Sequence, residues 1–190
     1  IVTVNPYTNC GKCASCRNRR YNACEHNERL GVQRNGAMAE YLVLPWEKII
    51  PATGISPRDC ALIEPMSVGF HAVSNGMVTD IDTVMVIGCG MVGMGAIVRA
   101  ALRGATVIGV DLDGEKLALA KEVGAAYVIN SMKENVHERL QEITEGFGVD
   151  VVIEAVGSPI TYNMAINEVA FTGRVVFIGY AKSEVAFQTK

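Results

Sequence analysis

The stretch Thr83–Asp111, TVMVIGCGMVGMGAIVRAALRGATVIGVD, constrains the fold more than any other part of the chain. Val84–Ile87 is a β-branched apolar run, Val92–Leu102 follows as a helix closed by Gly104, and a second apolar run ends in the carboxylate of Asp111. Two buried strands joined through a helix make one βαβ unit, the building block of a parallel sheet. Gly88, Gly90 and Gly93 fit Gly-x-Gly-x-x-Gly. In that pattern the first glycine makes the tight turn, the second lets a pyrophosphate meet the backbone, and the third lets helix and strand pack closely. Met91 and Val92 open the helix, where free N–H groups and the dipole favour negative charge. Gly88, Gly90, Met91, Val92 and Gly93 are therefore expected to bind a phosphate-bearing cofactor.

Asp111, 23 residues after Gly88, stands where a carboxylate would take the adenosine ribose hydroxyls; a turn or cap residue is the alternative. A 2′-phosphate there would meet like charge, and Leu112, Asp113 and Gly114 offer no arginine to hold one, so NAD is expected over NADP. The alternation continues. Helices are expected at Glu115–Val123, at Lys133–Glu145 behind a capping box Ser131-x-x-Glu134, and at Pro159–Phe171 between Ser158 and Gly173. Strands are expected at Tyr127–Ile129, Val149–Glu154 and Arg174–Ile178, short apolar runs suited to a parallel sheet buried on both faces. Ala155, just past the second of these strands, joins the cofactor-binding set. These runs make five strands, and a six-stranded sheet would need one more beyond Lys190.

Four of the six cysteines lie between Cys10 and Cys24 in the spacing Cys-x2-Cys-x2-Cys-x7-Cys. Cys10, Cys13 and Cys16 make two overlapping turns that aim thiolates at one ion, and Cys24 closes a tetrahedron, which suits a closed structural zinc. Iron–sulfur ligation has the right donors but not the common spacing, and a redox pair would not need the other two cysteines. Cys60 and Cys89 stand alone in apolar surroundings as small hydrophobes. Without a secretory signal a reducing, cytoplasmic setting is expected, which disfavours disulfides. Around the cysteines lie Lys12, Arg17, Arg19, Arg20, Arg29 and Arg34 against Glu25 and Glu28. With Tyr21 the one aromatic interleaved there and a net charge of −3 over 190 residues, this reads as a solvated loop surface rather than a nucleic-acid footprint. The longest uncharged apolar run, Thr83–Val98, is broken by glycines and too short to span a bilayer, so no membrane partner is expected. The start at Ile1, without Met or a basic leader, suggests a piece of a longer protein.

Past the cysteines, GAMAEYLVLPWEKIIPAT reads as strands, and Ser56 and Pro57 open a helix that Pro65 is expected to end or kink after Glu64. That places the Glu64 carboxylate at an irregular junction among apolar neighbours, where it calls for a cation, unless Arg58 or a helix end takes it. His71 reads as a core histidine and His26 as lobe surface. The grammar changes between Gly76 and Asp82, which suggests domains of 1–78 and 79–190.

The cysteine lobe, RNGAMAEY, ALIEPMSVGFHAV, VMVIGCGMVGMGAI and VIGVDLDGEKLALAKEVGA, in this order, resemble the zinc-dependent medium-chain dehydrogenase/reductase family, in its sorbitol (polyol) or threonine dehydrogenase branches. The resemblance implies an α/β fold, a doubly wound Rossmann sheet preceded by part of a β-rich GroES-like catalytic domain with a zinc lobe. It implies NAD-linked oxidation of a secondary alcohol, a small-molecule substrate, and a homo-oligomer, dimer or tetramer. It also implies a second, catalytic zinc that Glu64 would face directly or through water, and Lys116 near the adenosine ribose. The family's other catalytic zinc ligands would precede Ile1, so the chain alone is expected to be inactive. A catalytically silent nucleotide-binding sensor and an amino-alcohol dehydrogenase are the alternatives.

Overall fold

The computed structural model describes residues 1–187. The chain divides into two compact units, Ile1–Ala61 and Leu62–Lys190.

The first unit has little regular structure. Strand β1 (Val2–Val4) pairs antiparallel with β2 (Ile49–Pro51), and between them lie the short helix α1 (Ala14–Arg17) and 3-10 turns at Tyr21–Ala23 and Trp46–Lys48. The strand expectation for residues 36–53 is corrected, because only Ile49–Pro51 pairs. Met38, Tyr41, Val43 and Trp46 are exposed. An alternating sequence makes a strand only where a neighbour takes its N–H and C=O groups, and among the described residues nothing pairs with residues 37–45.

The second unit is an α/β sheet. Helix α2 (Pro57–Asn75) leads into β3 (Thr83–Ile87), α3 (Met91–Leu102), β4 (Thr106–Asp111), α4 (Gly114–Glu122), β5 (Tyr127–Asn130), α5 (Val136–Ile143), β6 (Val149–Glu154), α6 (Pro159–Glu168) and β7 (Val169–Phe177). The strands are all parallel, in the order β5-β4-β3-β6-β7. Successive strand residues point to opposite faces, and the core divides accordingly. Val84, Val86, Val107, Val151 and Ile153 pack with α2, α3 and α4 residues such as Val73, Ile97 and Leu117. Met85, Ile87, Ile108, Ile129 and Val152 pack with Leu140 of α5 and Ala165 of α6. Helices on both faces of a parallel sheet define the doubly wound fold expected from sequence. No helix among the described residues is long and apolar enough to cross a membrane.

Several boundaries differ from expectation, each for a non-local reason. The units divide inside α2 rather than near residues 78 and 79, because the C-terminal half of α2 belongs to the sheet's core: Ala72 and Val73 are buried there. A Cβ on Gly69 would lie 2.3 Å from the Val92 carbonyl oxygen, and one on Gly95 would lie 2.5 Å from that of Met66. The two helices thus cross backbone to backbone. This packing also carries α2 straight through Pro65, correcting the expected break there, although Pro65 has no N–H to donate. Helix α5 starts at Val136, not Lys133. Asn130 captures the preceding turn, its Oδ1 accepting from the Met132 N–H and its carbonyl from Lys133 and Glu134, and Asn135 caps the helix instead of Ser131. Helix α6, capped by Ser158 as expected, ends at Glu168 because Val169 already pairs with Val149 in the sheet.

Candidate cofactor cleft and cysteine cluster

The sheet order reverses between β3 and β6, since the chain runs outward from β3 to β5 on one side and from β6 to β7 on the other. Ligands of such sheets bind at the carboxyl ends of the strands at this reversal. A cleft of about 570 Å³ lies there, lined by Gly88 and Gly90, by Asp111, Leu112, Lys116 and Ser131 on one side, and by Ala155, Val156, Ser158, Ile160, Thr161 and Met164 on the other.

The three glycines differ in what surrounds them. Gly88 has φ +93°, a conformation that glycine adopts freely, and an added Cβ would lie 2.7 Å from Val156 Cγ2. A Cβ on Gly93 would fall 1.8 Å from the Gly88 carbonyl oxygen, so helix and turn lie in backbone contact. A Cβ on Gly90 would meet nothing within 4 Å. Gly90 is the N-cap of α3, whose hydrogen-bond ladder begins with Met94 N–H to the Gly90 carbonyl. The amides of Met91, Val92 and Gly93 precede it and are left for an outside acceptor. Met91 is exposed, Val92 half-buried and Gly93 buried; of the expected set, these three are not on the cleft's lining.

Asp111 is half-buried at the end of β4. Its Oδ2 accepts the Cys89 N–H at 2.7 Å and its Oδ1 the Asp113 N–H at 3.0 Å. The carboxylate therefore fixes the glycine turn and the β4–α4 turn together, which includes the turn role weighed from sequence. Each oxygen keeps a further lone pair for a ligand hydroxyl. Burial first, then the Asp111 charge, push the Cys89 thiol up to about 12, leaving it inert between the glycines. Lys116 is exposed on α4 with its ammonium 4.0 Å from Asp113 Oδ2. Ala155 lines the cleft and donates its N–H to the Ile87 carbonyl at 2.8 Å.

Sequence reasoning missed the apolar wall from Val156 to Met164, and it missed Glu154, fully buried at the end of β6. A carboxylate closing a buried strand in VVIEAVG was the available signal.

In the first unit Cys10, Cys13, Cys16 and Cys24 place their sulfurs within 4.8 Å of one another, the one group of its kind among the described residues. Bonds of about 2.3 Å to one tetrahedral zinc imply S···S edges of about 3.8 Å. The Cys13 and Cys24 sulfurs are 3.9 Å apart. Backbone N–H groups already point at the sulfurs, with Cys13 N–H donating to Cys10 Sγ and both Cys10 and His26 N–H donating to Cys24 Sγ, each at 3.3 Å. Donors from the Cys16 and Glu25 backbone pull the Cys13 thiol down to about 6, whereas burial pushes Cys16 up to about 12. The residues fit a closed four-thiolate zinc. Gly11, at φ +75°, makes the turn between the first two cysteines.

Glu64 lies exposed on α2, without an ion pair among the described residues. The expected apolar junction is corrected, because the continuous helix turns this side chain outward. One carboxylate is not a zinc site. His71 is exposed rather than a core residue, and His26 is on the lobe surface as expected.

Two family profiles match the chain, one for zinc-binding dehydrogenases over residues 91–190 and one for the alcohol dehydrogenase GroES-like domain over residues 1–58. The chain belongs to the zinc-dependent medium-chain dehydrogenase family. It is 33% identical to a sorbitol dehydrogenase of Halalkalibacterium halodurans, covering 98% of this chain and 56% of that protein. It is 34% identical to an L-threonine 3-dehydrogenase of Caldanaerobacter subterraneus subsp. tengcongensis, covering 97% and 54%. Among solved structures, it matches a protein described as a zinc-binding dehydrogenase from Sinorhizobium meliloti 1021, bound to NADP, with a TM-score of 0.89 and 30% identity, covering 98% of this chain and 56% of that one. The chain thus spans a little over half the length of these relatives.

Proposed function

We propose that this chain carries the cofactor site and structural zinc lobe of an oxidoreductase that transfers a hydride between a secondary alcohol, such as a polyol, and NAD. The observation that carries the reading is the pairing of Asp111 with the open backbone at Gly90 inside one cleft at the sheet's reversal. NAD bound there would supply the hydride acceptor. The chain's own residues bind and orient it. Amides at the start of α3 face the pyrophosphate, Asp111 accepts from the adenosine ribose hydroxyls with Lys116 beside it, and Val156, Ile160 and Met164 exclude water from the other half. Cys10, Cys13, Cys16 and Cys24 would hold a zinc with no open position, whose role is to hold the lobe together. The threonine dehydrogenase relative supports an amino alcohol as the second candidate substrate class.

Titration of the chain with both cofactors tests the reading. NAD is expected to bind at least about tenfold more tightly than NADP, roughly 1.4 kcal/mol, because a 2′-phosphate would face Asp111 at short range. Equal affinities, or tighter NADP binding, would remove Asp111 from this role.

Glu64 enters the proposal only for the whole enzyme, as a carboxylate facing a catalytic zinc whose other ligands lie outside these residues. There Glu64→Gln is expected to lower turnover and leave NAD affinity and melting temperature unchanged. Full turnover by the variant would take Glu64 out of the chemistry. A homo-oligomer and a cytoplasmic setting belong to the same proposal, the first to be read by light scattering.

A further inference from the structure

Glu154 is the last residue of β6 and is fully buried. Its Oε1 accepts the Val156 N–H at 2.9 Å and the Gly157 N–H at 2.8 Å, while its backbone carbonyl accepts from Ile178 at 2.8 Å and Gly179 at 3.0 Å. One residue thus ties the β6–α6 turn to the segment that follows β7. The two segments interlock through glycines. Gly157 has φ +83°, and a Cβ there would lie 2.5 Å from Tyr180 N; one on Gly179 would lie 2.1 Å from Gly157 N and 2.6 Å from Glu154 Oε2. Tyr162 fastens the same place from α6, donating its hydroxyl to the Gly179 carbonyl at 2.7 Å and stacking on Phe177 with ring centroids 4.2 Å apart.

The other carboxylate oxygen, Oε2, is buried without a hydrogen-bond partner among the described residues. Leaving a buried carboxylate oxygen unpaired opposes folding, and a neutral residue would avoid that cost. What the carboxylate achieves is the placement of the turn, which puts Ala155, Val156 and Ser158 on the cleft's β6 side, opposite Asp111, Leu112, Lys116 and Ser131.

We infer that Glu154 is a positioning residue for the nicotinamide half of the dinucleotide: by holding the Val156 and Gly157 amides it sets the wall against which that half lies. The inference rests on the reading of the cleft as an NAD site. A dinucleotide spans the crevice where the strand order reverses. With the adenosine ribose at Asp111, the second nucleoside falls on the β6 side.

Affinities of NAD and AMP for the chain test this in wild type, Glu154→Asp and Glu154→Gln. The aspartate is one methylene too short to reach both amides, and it is expected to weaken NAD about tenfold while AMP, which fills only the Asp111 side, is unchanged. The glutamine keeps a carbonyl oxygen at full reach and should hold NAD within about twofold of wild type. Wild-type NAD affinity in the aspartate variant overturns the inference. So does a parallel loss of NAD and AMP, which is what a general support of the fold would produce. In wild type, NAD should slow hydrogen exchange at the Val156 and Gly157 amides and AMP should not; equal effects overturn the inference even if the aspartate variant fails to fold. A wild-type chain that binds AMP but no NAD, or neither, overturns the reading of the cleft itself, and this inference with it.

Discussion

Cys13→Ser is expected to abolish stoichiometric zinc binding and unfold residues 10–24, while NAD binding by the second unit stays near the wild-type value. The first unit has almost no apolar core: among its residues only Cys16, Cys24 and Ala52 are buried hydrophobics, and two of these are cysteines of the cluster. A segment that buries so little apolar surface cannot offset its conformational entropy without another source of cohesion. Four thiolates on one zinc would supply it, with apparent binding free energies of about 10–16 kcal/mol in zinc-finger peptides at neutral pH. Losing one ligand therefore outweighs everything else in the lobe. Metal analysis should fall from one zinc per chain to none, and hydrogen exchange across Cys10–Cys24 should become fast. Undiminished zinc in the variant, or a wild-type chain that carries no zinc and links Cys10 to Cys24 by a disulfide, would refute the assignment.

The glycine turn offers a second large effect, because two of its glycines should fail in different ways. Gly93→Ala places a methyl group 1.8 Å from the Gly88 carbonyl oxygen, and neither backbone can yield without separating α3 from β3. A loss of about 3 kcal/mol or more is expected, at or above the usual range for overpacking, together with loss of NAD binding. Gly90→Ala places its methyl group in open space at a backbone conformation, φ −74° and ψ −173°, that alanine adopts without strain. The fold should be untouched. The methyl group would occupy the room left for the pyrophosphate, so NAD should bind about tenfold more weakly with an unchanged denaturation midpoint. Wild-type NAD affinity in Gly90→Ala would mean that the phosphates do not approach this backbone, and an undiminished midpoint in Gly93→Ala would mean that the turn relaxes freely.

Much of the second unit was legible in the residues because its signals are local. The runs at Val84–Ile87 and Val151–Ile153 are apolar on both faces, so they announce a sheet buried between two helix layers. Gly88, Gly90 and Gly93 carry their roles in their spacing, and Cys10, Cys13, Cys16 and Cys24 declare a shared ligand set by proximity in the chain. Where those signals rest on neighbours in sequence, the strands β3 to β6 and the helices between them fall close to the expected positions.

What the sequence alone could not decide depends on groups distant in the chain. Residues 37–45 have the composition of strands but no partner for their backbone, and pairing rather than propensity makes a strand. Pro65 removes one hydrogen bond from α2, yet the contact of Gly69 with Val92 and the burial of Val73 keep the helix whole, and that continuity turns Glu64 outward. Asp111 serves the glycine turn through the Cys89 amide, 22 positions away in the chain, as well as facing the cleft. Glu154 shows the difference most fully. Its residue type is plain in the sequence, but its burial exists only once β6 lies between β3 and β7 and the turns at Gly157 and Gly179 close over it. Composition and spacing determined the alternating strands and helices of the second unit; tertiary contact decided which polar groups are buried, because burial is set by residues that meet only after the sheet has formed.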